Sequence, residues 1–319
     1  MFESNSLPKL VVLGTGGTIA GRSALPNDNI GYEAAQISVA TLADGIPGLS
    51  ARLDGVELVC EQMAQIDSKD MSFEVWVQLA RRVEQLQASA DVTAVVITHG
   101  TDTLEETAYF LSRVLTGHQP VVLTCAMRPA SALSPDGPQN LLDALTVSRQ
   151  AQAGVFVVCG GCVHSAAYVQ KVHPYRLDAF SSGDAGPVGF VEEGRVRWTA
   201  DSWGPTPTML NALELPEASD WPAVDIVLNH AGADGRIVDA LVQAGVQGLV
   251  VAGTGNGTVS SALQVALLKA QSAGVHVVLA TRCTQGRIIA RSDGHWPLAL
   301  NSNPVKARID LLLLLMNSQ

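Results

Sequence analysis

Short apolar, β-branched runs recur along this chain, each followed by small polar residues and then by a stretch of helical periodicity. They are LVVL at Leu10, AVVI at Ala94, PVVLTC at Pro120, VFVVC at Val155, DIVLN at Asp225, GLVVAG at Gly248 and VHVVLA at Val275. Runs that are apolar on both faces suit strands of a parallel sheet covered by helices on each side. Between them, the spacing of Leu104, Ala108, Leu111 and Leu115 gives a helix one apolar face. The alternation predicts an α/β protein.

The alternation fails in residues 200–222, where Pro205, Pro207, Pro216 and Pro222 interrupt any regular element. A single core rarely grows past roughly 250 to 300 residues, so a chain of 319 residues, 47% of them hydrophobic, is expected to divide there. The expected organisation is an N-terminal α/β domain at 1–199, a linker at 200–222 and a C-terminal α/β domain at 223–319. Twenty Lys and Arg against thirty Asp and Glu give a net charge of -10, with no basic stripe to track phosphates, which argues against nucleic acid as a partner. The start, MFESNSLPKLVVLG, has no basic patch before its apolar stretch, and the apolar run at 311–316 falls far short of the roughly 20 residues of a membrane helix. No membrane association is expected. Five scattered cysteines suit free thiols in a reducing compartment, so the expected location is cytoplasmic.

In open parallel sheets, ligands bind beyond the carboxyl ends of the strands. Three polar turns sit at such ends: residues 14–21, 99–103 and 253–258. Within VVITHGTDTLEETAYF, Thr103 and Glu106 have capping-box spacing and Glu105 adds favourable first-turn charge. Capping leaves Thr101 and Asp102 unexplained. The turn GTGGTIAGRS fails as a dinucleotide fingerprint, with Ile19 at the third glycine position, and as a P-loop it places Arg22 where Lys is needed. Cys159 and Cys162 frame a Gly-Gly turn, and without a second ligand pair they read as small buried residues rather than a metal site. A redox role for the pair stays open. The seven histidines form no H-x-x-x-H pair. A threonine nucleophile needs a neighbouring base or cation. Thr15, Thr18 and Thr101 supply hydroxyls, Asp102 a carboxylate, and Lys171 a candidate amine to pair with it.

TGGTIAG from Thr15 and THGTDTLEETAYFL from Thr98 resemble the two signatures of bacterial-type L-asparaginases and glutaminase-asparaginases. The similarity continues through AMRP at Ala126, DGPQNL at Asp136, Lys171, GTGNGT at Gly253 and LNSNPVKAR at Leu300. The resemblance implies a large flavodoxin-like parallel-sheet domain carrying the catalytic residues, followed by the smaller α/β domain. It implies hydrolysis of L-asparagine to L-aspartate and ammonia through a threonine acyl-enzyme, with glutamine as a side substrate. Thr18 matches the nucleophile, Tyr32 the tyrosine of a closing loop, and Thr101, Asp102 and Lys171 the proton-transfer group. Asp102 also matches the residue that holds the substrate's amino group, Ser68 the one that binds its α-carboxylate, and Ala126 the lining of the amide end. Asn256 matches a residue supplied across a subunit interface, so a homotetramer built from intimate dimers is implied, with no metal or organic cofactor. Lys69 stands where relatives commonly place Gln or Glu to help bind the amino group; a cation there would repel an ammonium and raise the Michaelis constant. The alternative from another class is a non-catalytic small-ligand or nucleotide-binding module.

Overall fold

The computed structural model describes residues 7–25, 28–199, 206–292 and 294–317, side chains at 50 and 51 apart. It divides into two compact units, Met1–Leu215 and Pro216–Gln319. Of the linker expected at 200–222, residues 200–205 lie outside the described residues. The segment that follows them belongs to the first unit: the Arg113 guanidinium donates to the Pro207 carbonyl, and Arg81 Nη2 donates to that of Leu215 at 2.7 Å.

The first unit is built on an eight-stranded mixed sheet. Five strands are parallel: β1 (Lys9–Gly16), β4 (Glu57–Ile66), β5 (Val92–Thr98), β6 (Val121–Thr124) and β7 (Val155–Cys159). They are arranged β7-β6-β5-β1-β4, so the first strand lies between the second and the third. Beyond β7, the antiparallel strands β8 (Cys162–Ser165), β11 (Gly189–Glu192) and β12 (Arg195–Trp198) extend the sheet. Two small pairs stand apart from it, β2 (Arg22–Ser23) with β3 (Tyr32–Glu33), and β9 (Gln170–Lys171) with β10 (Phe180–Ser181).

Both faces of β1, β5, β6 and β7 are largely dry, which is why their sequences are apolar without alternation. Leu10, Val12, Ala94, Val96, Val122 and Val158 pack on one face against Val39 and Ala43 of α1 (Val39–Asp44) and Leu141, Ala144 and Leu145 of α5 (Gly137–Gln150). The short α2 (Leu49–Arg52) follows α1. The opposite residues Val11, Leu13, Val95 and Ile97 are equally buried, beneath α3 (Phe73–Gln87) and α4 (Leu104–Val114). There Trp76 stacks on Phe110 at 4.7 Å and donates its indole N–H to Thr107.

The second unit has a three-stranded parallel sheet, β13 (Val224–Leu228), β14 (Gly248–Gly253) and β15 (His276–Thr281), with β14 central. It is packed by α6 (Arg236–Gln243), α7 (Ser261–Ser272) and the C-terminal α8 (Pro304–Met316), whose Ile309, Leu311, Leu312 and Leu313 are buried. Among the described residues no helix is long and apolar enough to cross a membrane.

Candidate active site

The strand order places a crevice before any side chain is considered. After β1 the chain leaves for β4 on one side, and after β5 it leaves for β6 on the other, so the turns following these adjacent strands separate. Gly14 of β1 lies in register with Thr98 of β5, and the Thr15 hydroxyl donates to the Thr98 carbonyl at 3.0 Å. Thr15 is thus a strand tie. Just beyond, the two turns touch through glycines: a Cβ on Gly17, whose φ is +79°, would stand 2.3 Å from the Cα of Gly100. A Cβ on Gly100 would in turn stand 2.4 Å from the Ser68 hydroxyl. Only glycine fits at both positions, so the turns that carry Thr18 and Thr101 are in contact at the residue preceding each threonine.

Thr18 opens a single 3-10 turn, Thr18–Ala20, and is 7% exposed. Its hydroxyl lies 2.6 Å from the phenol of Tyr32, which arrives on the antiparallel β2–β3 pair. Burial raises the Tyr32 pKa above its ordinary value of 10; the Thr18 hydrogen bond opposes this, while the charges of Asp67 and Asp102 add to it and that of Lys69 subtracts. The phenol therefore keeps its proton at neutral pH. Of the expected mobile loop, Pro26 and Asn27 lie outside the described residues.

The second group stands on the β5–α4 turn. Lys171 Nζ donates to Thr101 Oγ1 at 2.8 Å and to Asp102 Oδ1 at 2.6 Å, from a side chain only 18% exposed. The Asp102 side chain is 53% exposed, so its carboxylate faces both the lysine and open solvent. Ser68 is buried, and its Oγ accepts the Asp102 main-chain N–H at 3.1 Å, leaving the hydroxyl proton to donate elsewhere. Lys69 is exposed and tied to neighbouring carboxylates, at 2.6 Å to Asp67 and 3.5 Å to Asp70. Ala126 is fully buried and packs against Ile19 and Ala20, on the turn that carries Thr18. Its loop is latched by the Asp136 carboxylate, which accepts the N–H groups of Met127 and Arg128, both at 2.9 Å.

Asn256 belongs to the second unit. It is exposed, and its amide exchanges two hydrogen bonds with the backbone of Ile289, at 3.0 and 2.7 Å. The echo turn at 253–258 closes on itself, with the Thr254 and Thr258 hydroxyls 2.8 Å apart.

Other readings are corrected. Thr103 occupies the N-cap of α4 without making a side-chain cap; its hydroxyl donates to the Ser68 carbonyl at 2.7 Å. A capping box assumes a helix entered freely from solvent, whereas this turn is pinned against Ser68. The P-loop reading fails because Arg22 and Ser23 enter a β-pair, not a helix whose N-terminus could cradle phosphate. Cys159 and Cys162 face each other across the β7–β8 turn as free thiols, over Gly160 and Gly161 at positive φ. Asp67, which pairs with Lys69, escaped the sequence reading, and Glu105, read only as a first-turn charge, has a carboxylate that accepts the main-chain N–H of Lys171. Neither has a local pattern that separates it from an ordinary N-cap or first-turn acid. Among the described residues no cluster of three or more His, Cys, Asp or Glu is arranged to hold a metal.

Comparison with known proteins agrees with this geometry. Residues 9–203 match the model of the asparaginase N-terminal domain, and 223–319 that of the glutaminase/asparaginase C-terminal domain. A glutaminase-asparaginase from Pseudomonas fluorescens biotype A is 36% identical over 98% of this chain and 88% of its own. An L-asparaginase 2 from Bacillus subtilis is also 36% identical, over 98% of this chain and 84% of its own. The crystal structure of a probable cytoplasmic L-asparaginase from Campylobacter jejuni superposes with a TM-score of 0.87 at 34% identity, covering 96% of this chain and 94% of that one. With both halves matched and relatives aligned over nearly its whole length, the chain belongs to the asparaginase/glutaminase family.

Proposed function

We propose that this protein is an L-asparagine amidohydrolase that releases L-aspartate and ammonia, with glutamine as a slower substrate. The observation that carries the reading is a pair of threonine hydroxyls beyond the ends of adjacent strands, one hydrogen-bonded to a phenol and the other to a lysine paired with a carboxylate. A binding module has no need of that lysine.

In this reading Ser68 donates to the substrate α-carboxylate, and Asp102 accepts from its ammonium while Lys69 sits beside it. Thr18 Oγ attacks the side-chain amide carbon: a C–O bond forms, and the hydroxyl proton leaves through Tyr32 as the phenol passes its own on towards the leaving nitrogen. The oxygen of the tetrahedral intermediate is held by N–H groups of the glycine-rich turn, each worth about 2.7 to 4 kcal/mol in such sites. The C–N bond breaks and ammonia departs. Water then attacks the Thr18 ester, giving up a proton on the Thr101–Lys171–Asp102 side; the bond from Thr18 Oγ to the acyl carbon breaks, Oγ takes a proton back through Tyr32, and aspartate is released. Ala126 lines the amide end, and Asn256 completes the site from a second subunit.

We further propose a cytoplasmic homotetramer built from intimate dimers. The five free cysteines suit a reducing compartment. Ile237, Val265, Ile289 and Leu300 are exposed apolar side chains on the second unit, as an assembling surface requires. Sedimentation would read the assembly directly.

The test of activity is ammonia release from a panel of asparagine, glutamine and their D-isomers, with Thr18→Ala as the control variant. Wild type should favour L-asparagine, and Thr18→Ala should lose at least about a thousandfold in kcat while keeping its circular dichroism spectrum. No ammonia from any amide, together with a thermal shift on adding ATP, would establish the binding module instead.

A further inference from the structure

Lys171 reaches the site from a short element outside the main sheet. Its strand, β9, is two residues long, pairs only with the equally short β10, and is not part of the eight-stranded sheet. Thr101 and Asp102, the groups it must meet, stand on the rigid turn between β5 and α4. A side chain of α4 also reaches across to the strand. Glu105, half-buried on the first turn of α4, accepts the main-chain N–H of Lys171 across 66 residues of sequence. The lysine is therefore gripped twice by the same turn, at its backbone by Glu105 and at its ammonium by Thr101 and Asp102.

We propose that Glu105 is the positioning residue for Lys171, fixing the backbone from which the lysine aligns Thr101 and Asp102 for proton transfer. A lysine side chain carries about 2 kcal/mol of rotamer entropy, so a drifting backbone would leave its head sampling positions away from the hydroxyl. Displacements of about 1 Å can cost a reaction about a hundredfold. The bond needs an acceptor oxygen at the end of two methylenes and does not need a negative charge. Glutamine supplies that oxygen at the same reach; aspartate keeps the charge but falls short.

The inference rests on the amidohydrolase reading, and the experiment separates the two. Steady-state kcat and KM for asparagine are measured for wild type, Lys171→Met, Glu105→Gln, Glu105→Asp and Glu105→Ala, each with its melting temperature. Lys171→Met should abolish turnover. Glu105→Asp and Glu105→Ala should lower kcat about ten- to a hundredfold with KM within about threefold, and Glu105→Gln should restore kcat to within about threefold of wild type. Should the alanine variant not fold, the contrast between Asp and Gln still decides. Wild-type kcat in Glu105→Asp, an equal loss in Glu105→Gln, or a loss confined to KM would each overturn the role of Glu105. An inactive wild type would overturn the amidohydrolase reading itself, whereas an active Lys171→Met would overturn the role of Lys171 and with it that of Glu105.

Discussion

Lys69 shows how far one side chain can be judged from its type. By charge alone it opposes an ammonium, yet its own ammonium is 2.6 Å from Asp67, which shares part of its field. The Lys69 side chain is also 61% exposed, so solvent and salt screen what remains. Lys69→Gln should lower KM for asparagine by a few-fold, about two to five, at low ionic strength, and the gap should narrow as salt is added. An unchanged KM at low salt would show that Lys69 plays no part in recognition. Thr18, Thr101 and Asp102 stand out in the sequence because they lie in two long signatures, and the pairing of Lys171 with Asp102 expected from residue type alone is present in the fold. Asp67 and Glu105 do not stand out, since each acts by reaching a backbone or a neighbour that only the folded chain supplies.

Elements show a similar division. Every apolar run read as a strand became one, because a strand buried on both faces leaves no polar position to blur the pattern. The strand β4 escaped because it is the sheet edge, with Glu57, Gln62 and Gln65 at solvent among half-buried neighbours. The antiparallel extension escaped because its short strands are partly exposed and mix polar residues such as His164, Ser165, Glu192, Arg195 and Arg197 with apolar ones. At the end of β5, His99 is fully buried, with Nδ1 against the Gly100 carbonyl, and burial lowers its pKa from 6.5 to about 4. The native state thus holds a neutral imidazole whose unfolded counterpart takes up a proton first. Its contribution is complete above pH 6.5 and is lost as pH falls towards 4, an effect on the order of 3 kcal/mol for that shift. Denaturant unfolding between pH 7 and 4 should show this decline, and His99→Gln should flatten it. An equal decline in the variant would assign it to other groups.

At the scale of the molecule, one topological fact organises the rest: the connections after the parallel strands β1 and β5 leave in opposite directions, and the residues proposed to react stand at those strand ends. The two-part architecture was legible from the proline-rich interruption, while the attachment of residues 207–215 to the first unit depends on long-range bonds from Arg81 and Arg113 that no local pattern encodes. The account's central claim is that Thr18, and not Thr101, carries the acyl group. Acid-quenching the wild-type enzyme during turnover of asparagine and mapping the adduct by peptide mass spectrometry tests this directly. The aspartyl ester should be found on the peptide containing Thr18; an ester on the peptide containing Thr101 would contradict the claim.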